Sequence, residues 1–409
     1  MFSSRITLAA ILALAGVAAA CGPDTAGPAI SGDGTAALAT GMDVHGAPVT
    51  LAWQERARNL VAANNFSALA AGRVYAALSV AQYRAVTRVQ GAGVGDASQA
   101  GGYGRGGRSG FEAERGAVAG AAARLLSFVF PASADALQQL LAEQGAAGTG
   151  GVHPEFTRGV AVGRAAGDEL VAHLMTDGFT APWTGTVPVG PGLWIPTALP
   201  PAGAMLGSAT PYFMDTGSQF RPAAPPAFLS PAFNADLADV VAVSVARTPA
   251  QLQLANYWDS PAGTPTPLGL WNAIAADYVA DAGLGETAAA RVFALAHAAM
   301  FDALIGCWEA KYYYWTLRPS QADADVALAF GNPNFPSYPS GHSCASASGA
   351  RVLEHFFPER TAQLAQYVDD AGFARVVAAI HYSFDVTAGQ ALGQAVADYA
   401  IAHADRMME

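Results

Sequence analysis

The chain has few cysteines, few charges and, beyond its first residues, no long uninterrupted apolar run. Three cysteines in 409 residues exclude the disulfide framework of a small secreted scaffold. Only 13% of residues are charged, and 32 acidic residues against 21 Lys and Arg leave a net charge of -11. No basic stripe is present, so nucleic acid is not an expected partner. Past the N-terminal segment no run of 18 apolar residues occurs, and no membrane span is expected. A G-x-x-x-x-G-K-[ST] motif is also absent, so the nine Gly within residues 91–110 read as a loop and not a phosphate cradle.

What the chain does have is a hydrophobic fraction of 52%, carried mainly by Ala, which favours closely packed helices. Residues 1–20 combine one Arg, an apolar stretch and small residues, and read as a secretory signal. Cys21 follows Ala18-Ala19-Ala20 and is a candidate lipidation site, although Ala18 stands where such sites usually have Leu. Ordinary cleavage nearby is the alternative. The protein is therefore expected to be exported, either as a periplasmic or cell-surface lipoprotein attached to the membrane through Cys21, or secreted. Residues 21–48 read as a tether and 49–409 as one α-helical domain.

Helical spacing recurs over 51–88 (with a break at Asn64-Asn65), 112–129, 133–144, 155–178, 233–245, 248–258, 268–282, 286–317, 341–356, 359–369 and 386–405. Residues 181–232 are rich in Pro and Gly and form an irregular excursion, of the kind that is functional or wraps a surface. The expected fold class is all-α.

Three segments carry chemistry. Lys311 and Arg318, seven apart before Pro319, would lie within about 20° on one helix face at ~100° per residue; a solvated basic edge is the plainer reading. Pro339-Ser340-Gly341-His342 opens a helix, where free N–H groups and the dipole favour an anion. Ser340 adds a hydroxyl, Gly341 a close main-chain approach, and His342 a group titrating near neutrality. An ordinary capped helix is the alternative there. In Arg375-x5-His381-x3-Asp385 the carboxylate can accept the Nδ1–H of His381, leaving Nε2 a free lone pair. On one helix Arg375 and His381 would diverge by about 120°, so a shared ligand requires a helix break between them. Together these segments describe a receptor for a tetrahedral oxyanion.

In that order the three motifs resemble those of the vanadium-dependent haloperoxidases and type 2 phosphatidic acid phosphatases, in particular the bacterial haloperoxidase-like branch. The motifs cover 311–385, with weaker likeness at Gly269-Leu270-Trp271-Asn272, Arg291 to Asp302, and Gln219-Phe220-Arg221-Pro222. The resemblance implies two four-helix-bundle-like halves and halide oxidation by hydrogen peroxide at a vanadate cofactor. By the same resemblance His381 is the vanadium ligand, Asp385 its orienting partner and His342 the acid–base residue. Lys311, Arg318, Ser340, Gly341 and Arg375 hold the oxyanion. Phe335 is a candidate for the halide pocket. On the phosphatase alternative no cofactor is needed; His381 becomes the nucleophile toward a phosphomonoester and His342 protonates the leaving alcohol. Ala374, where many phosphatases have Ser, leans away from that alternative. A non-catalytic oxyanion-binding lipoprotein is a third reading, opposed by the intact motif residues. A homodimer is compatible with the apolar helix faces, and Cys307 and Cys344 could be free thiols or a single bridge.

Overall fold

In the computed structural model the described residues are 47–91, 105–146 and 152–408. They contain thirteen α-helices and no β-strand, as the all-α expectation requires. The signal segment, Cys21, nearly all of the tether and most of the glycine-rich loop lie outside the described residues. Helices α1 (Val49–Ala63), α2 (Ala68–Gly91), α3 (Arg105–Val129), α4 (Ala134–Ala146) and α5 (Pro154–Thr176) precede the irregular excursion. After it come α6 (Pro231–Ala246), α7 (Pro249–Asp259), α8 (Thr266–Asp281) and α9 (Glu286–Tyr314). The last four are the single turn α10 (Pro319–Ala322), then α11 (Gly341–Phe356), α12 (Thr361–Val377) and α13 (Ser383–Ala402).

Most helix ends fall near their expected places. The break at Asn64-Asn65 is real, with Asn65 left-handed at φ 52°. Two boundaries differ in ways that matter for the site. Helix α9 stops at Tyr314 and not near 317, because Trp315 turns left-handed at φ 53°. Helix α12 runs on to Val377 and so carries Arg375, where the helical pattern predicted an end at 369. Gly372 inside it is a point of close approach: a Cβ there would meet Val386 at 2.6 Å.

Helix α9 is the element on which the others are arranged. Its 29 residues show no polar stripe because it is buried almost throughout. Helices α2, α3, α11 and α13 pack on it directly, while α5 packs on α2 and α3, and α12 on α11 and α13.

Glycine sets the spacing of α3 against α5. A Cβ on Gly159 or Gly163 would lie 2.0 Å from the carbonyl oxygen of Ala113 or Ala117, respectively. Gly116 and Gly120 approach the Phe156 and Val160 carbonyls in the same way, at 2.1 and 2.5 Å. Four-residue spacing on both helices places these glycines on facing stripes.

Two buried carboxylates on α9 hold distant backbone. Glu286 accepts the N–H groups of Val49 and Thr50 at 2.7 Å each, supplying the cap that Pro48 cannot give α1. Asp302 accepts Tyr212, Phe213 and Met214 N–H at 2.8, 2.7 and 3.1 Å, fixing the excursion to the middle of α9. Burial pushes both carboxyls up to about 7, against the pull of those donors.

Gly163→Ala is expected to destabilise the fold by about 1–3 kcal/mol through overpacking, read as a lowered urea midpoint. Gly91→Ala, with nothing within 4 Å of the added methyl, is expected to leave that midpoint nearly unchanged.

Candidate active site

Lys311 and Arg318 come together, but not on a shared helix face. Lys311 ends the buried part of α9, whereas Arg318 lies in extended backbone beyond the Trp315 turn. Both are fully buried, which removes the solvated-edge reading. The Lys311 ammonium donates to the carbonyls of Pro336 (2.9 Å), Ser337 (2.7 Å) and Pro339. All three of its protons are therefore engaged, and its charge acts through space. Arg318 donates from Nε and Nη2 to the Phe335 carbonyl at 3.2 and 3.0 Å, and from Nη1 to that of Ile380 at 2.6 Å. Burial lowers Lys311 to about 8 and Arg318 to about 10.

Ser340 is the N-cap of α11. Its oxygen accepts from the N–H and the hydroxyl of Ser343 at 3.4 and 2.9 Å, which leaves its own O–H available. The first N–H groups of this helix have no intrahelical acceptor. Gly341 is required by packing as well as by access, since a Cβ would meet the Trp308 ring at 2.9 Å. His342 is half-buried, and its Nε2 has no partner among the described residues. Burial, then the Arg375 charge, hold it well below the usual histidine range, outweighing the backbone carbonyls of Trp258 and Asp259.

Between α12 and α13 the chain turns, with Ala379 left-handed at φ 62°, so the helix break that a shared ligand demands is present. Arg375 donates from Nη1 to Asp259 at 3.0 Å and from Nη2 to the Ala255 carbonyl at 2.7 Å. Its Nε is buried without a partner among the described residues. His381 Nδ1 lies 2.7 Å from Asp385 Oδ2, and its Nε2 lies 3.1 Å from Arg318 Nη1. The pattern assigns the proton to Nδ1 and makes Nε2 the acceptor. His381 sits well below its usual range through burial and then the Arg318 and Lys311 charges, so it is neutral at pH 7. Burial raises Asp385 to about 6, although the Ser337 hydroxyl, Lys311 and Arg318 pull the other way.

Residues 287–405 match the family model of the PAP2 superfamily. That match spans 119 of the chain's 409 residues. The motif residues Lys311, Arg318, Ser340, Gly341, His342, Arg375, His381 and Asp385 all lie inside the match. Beyond that segment, the chain resembles a bacterial vanadium-dependent iodoperoxidase in structure, with a TM-score of 0.72 and 22% identity over 89% of this chain and 97% of that one. The apo and holo forms of a bacterial vanadium-dependent chloroperoxidase each give a TM-score of 0.66 and 16% identity over 83% of this chain, and 93% and 92% of theirs. At these identities the shared property is the fold. No curated protein sequence matches the chain.

Two participants in the site were not singled out from the sequence. Ser337, inside the PAP2 segment, donates to Asp385 Oδ2 at 2.5 Å. Its signal was a Ser one turn ahead of Ser340 in the same Pro-Ser-Tyr-Pro-Ser stretch. Asp259 lies outside the segment and pairs with Arg375 across 116 residues, a separation that no local pattern reveals. Phe335 covers the cations, with its ring 5.2 Å from Lys311 Nζ and 5.0 Å from the Arg318 guanidinium. Cys307 and Cys344 are free buried thiols. His297 belongs elsewhere, its Nε2 2.8 Å from Asn272 Nδ2 in the buried core.

Asp385→Asn is expected to lose about 3–5 kcal/mol, because the buried Lys311 and Arg318 lose the buried counter-charge beside them. Its amide puts a neutral, weaker acceptor, or an N–H donor, where Oδ2 alone accepts from His381, Ser337 and Tyr382. The nitrogen resonances of His381 should then report a changed tautomer; an unchanged tautomer would contradict the assignment of the Nδ1 proton.

Proposed function

We propose that the protein is a vanadium-dependent haloperoxidase, oxidising halide with hydrogen peroxide. The observation that carries this reading is the extent of the likeness to the iodoperoxidase, 89% of this chain and 97% of that one, far beyond the PAP2 segment. The site also fits a tetrahedral oxyanion. Lys311, Arg318 and Arg375 are fully buried, as is Asp385, and among the described residues Arg375 Nε and His342 Nε2 are buried without partners. When bound, vanadate would supply Lewis-acid activation of peroxide toward the halide.

The chain's own residues divide the remaining work. His381 offers the Nε2 lone pair to vanadium, with Asp385 holding the proton on Nδ1. An anion that takes this lone pair releases Arg318 Nη1, whose N–H can then serve an anion oxygen. Arg375 Nε, the Ser340 hydroxyl and the Gly341 N–H supply further donors, while Lys311 contributes charge alone. His342 is neutral and so able to take and return a proton at Nε2. The iodoperoxidase and chloroperoxidase likenesses make iodide, bromide and chloride the halides to compare. Export belongs to the same reading and rests on residues 1–20, with Cys21 as the lipidation candidate.

The PAP2 match favours one second reading, an acid phosphatase on the same residues. There His381 Nε2 attacks phosphorus, the ester P–O bond breaks, and His342 protonates the departing alkoxide.

Metal-free protein titrated with orthovanadate separates the two. Oxidation of iodide or bromide by peroxide is expected only with vanadate present, and His381→Ala should abolish it. His342→Ala should lower turnover by about 100-fold or more while changing vanadate affinity far less. Phosphomonoester hydrolysis suppressed by vanadate, with no halide oxidation, would replace the first reading with the second.

A further inference from the structure

Residues 192–202 of the excursion lie across the loops that carry Arg318, more than a hundred positions away in the chain. Two backbone bonds dock the start of this strap: Trp194 N–H to the Trp315 carbonyl at 2.7 Å, and Leu317 N–H to that of Gly192 at 3.2 Å. Two amide side chains then pin it on either side of Arg318. Gln321 Oε1 accepts both Ile195 N–H (3.3 Å) and the backbone N–H of Arg318 itself (3.1 Å), and its Nε2 donates back to the Ile195 carbonyl at 2.6 Å. Asn334 Oδ1 accepts from the N–H and hydroxyl of Thr197, both at 3.0 Å, and from Ala198 N–H at 3.2 Å. Its Nδ2 donates to the carbonyls of Ala198 and Pro200 at 3.0 and 3.4 Å, and its own carbonyl accepts Ala202 N–H at 2.8 Å.

The residue after Asn334 is Phe335, whose carbonyl takes two of the four donor contacts that orient the Arg318 guanidinium. Hydrophobic burial does little to hold the strap. Ile195 and Leu199 are 61% and 69% exposed, and in the strap only Trp194 and Pro201 are buried. The polar pins therefore decide where it lies.

We propose that Asn334 and Gln321 are positioning residues, which use the 192–202 strap to hold Arg318 in the orientation that sets the site's affinity for a tetrahedral oxyanion. This rests on the reading of the site as an oxyanion receptor and holds for vanadate and phosphate alike. Neither amide touches the anion; each acts through the backbone on one side of Arg318.

A double-mutant cycle tests it, with orthovanadate and inorganic phosphate titrated calorimetrically into the metal-free full chain. Asn334→Ala is expected to weaken both anions about tenfold, about 1.4 kcal/mol, with its helical circular dichroism retained. In an Arg318→Lys background the same substitution should cost less than about twofold, because the guanidinium it positions is gone. The vanadium-51 resonance of bound vanadate should shift in Asn334→Ala. Should that variant fail to fold, Gln321→Ala carries the same cycle from the other pin. An unchanged affinity, or an equal tenfold loss in both backgrounds, overturns the proposal while leaving the receptor reading in place. Wild-type protein that binds neither anion overturns both.

Discussion

Three positive charges held out of water, with one fully buried carboxylate among them, are the constraint on which the rest of this structure depends. Desolvating each ion costs several kcal/mol, and the chain offsets this mainly with carbonyl oxygens. Lys311 is enclosed by three of them, Arg318 by those of Phe335 and Ile380, and Arg375 by that of Ala255 beside Asp259. The turn at 336–339 and the end of α7 have their shapes because they must present those oxygens inward. Carbonyl dipoles soften the charges without cancelling them. Burial first, and the surplus positive potential second, keep His381 and His342 neutral.

That demand also explains where the helices stop. Were α9 to continue past Trp315, Arg318 could not reach the Phe335 and Ile380 carbonyls. Were α12 to continue through 378–382, His381 would leave both Asp385 and Arg318. Each left-handed residue at these breaks, Trp315 and Ala379, accepts an unfavourable backbone conformation that the surrounding contacts enforce.

How much of this was legible in the chain depends on the span of each interaction. The α11 start was readable because Ser340 caps a helix three residues ahead of Ser343, and the His381–Asp385 pair because it spans four residues. Helical periodicity placed nearly every element for the same local reason. It failed at Lys311 and Arg318, which come together but not on a shared helix face, since nothing nearby signals that a Trp will take φ 53°. Asp259 and the Asn334 pin escaped altogether, because their partners lie 116 and up to 137 positions away. The facing glycines of α3 and α5 could be seen as small residues on helices, but not matched to each other.

Glu286 has a bearing on how the molecule is made. The cap of α1 comes from a side chain 237 residues further on. A growing chain must therefore present α1 with its leading amides unanswered until Glu286 has left the ribosome. Assembly of the first helix is in this sense among the last events of synthesis, and anything that engages the nascent segment has most of the chain's length in which to do so.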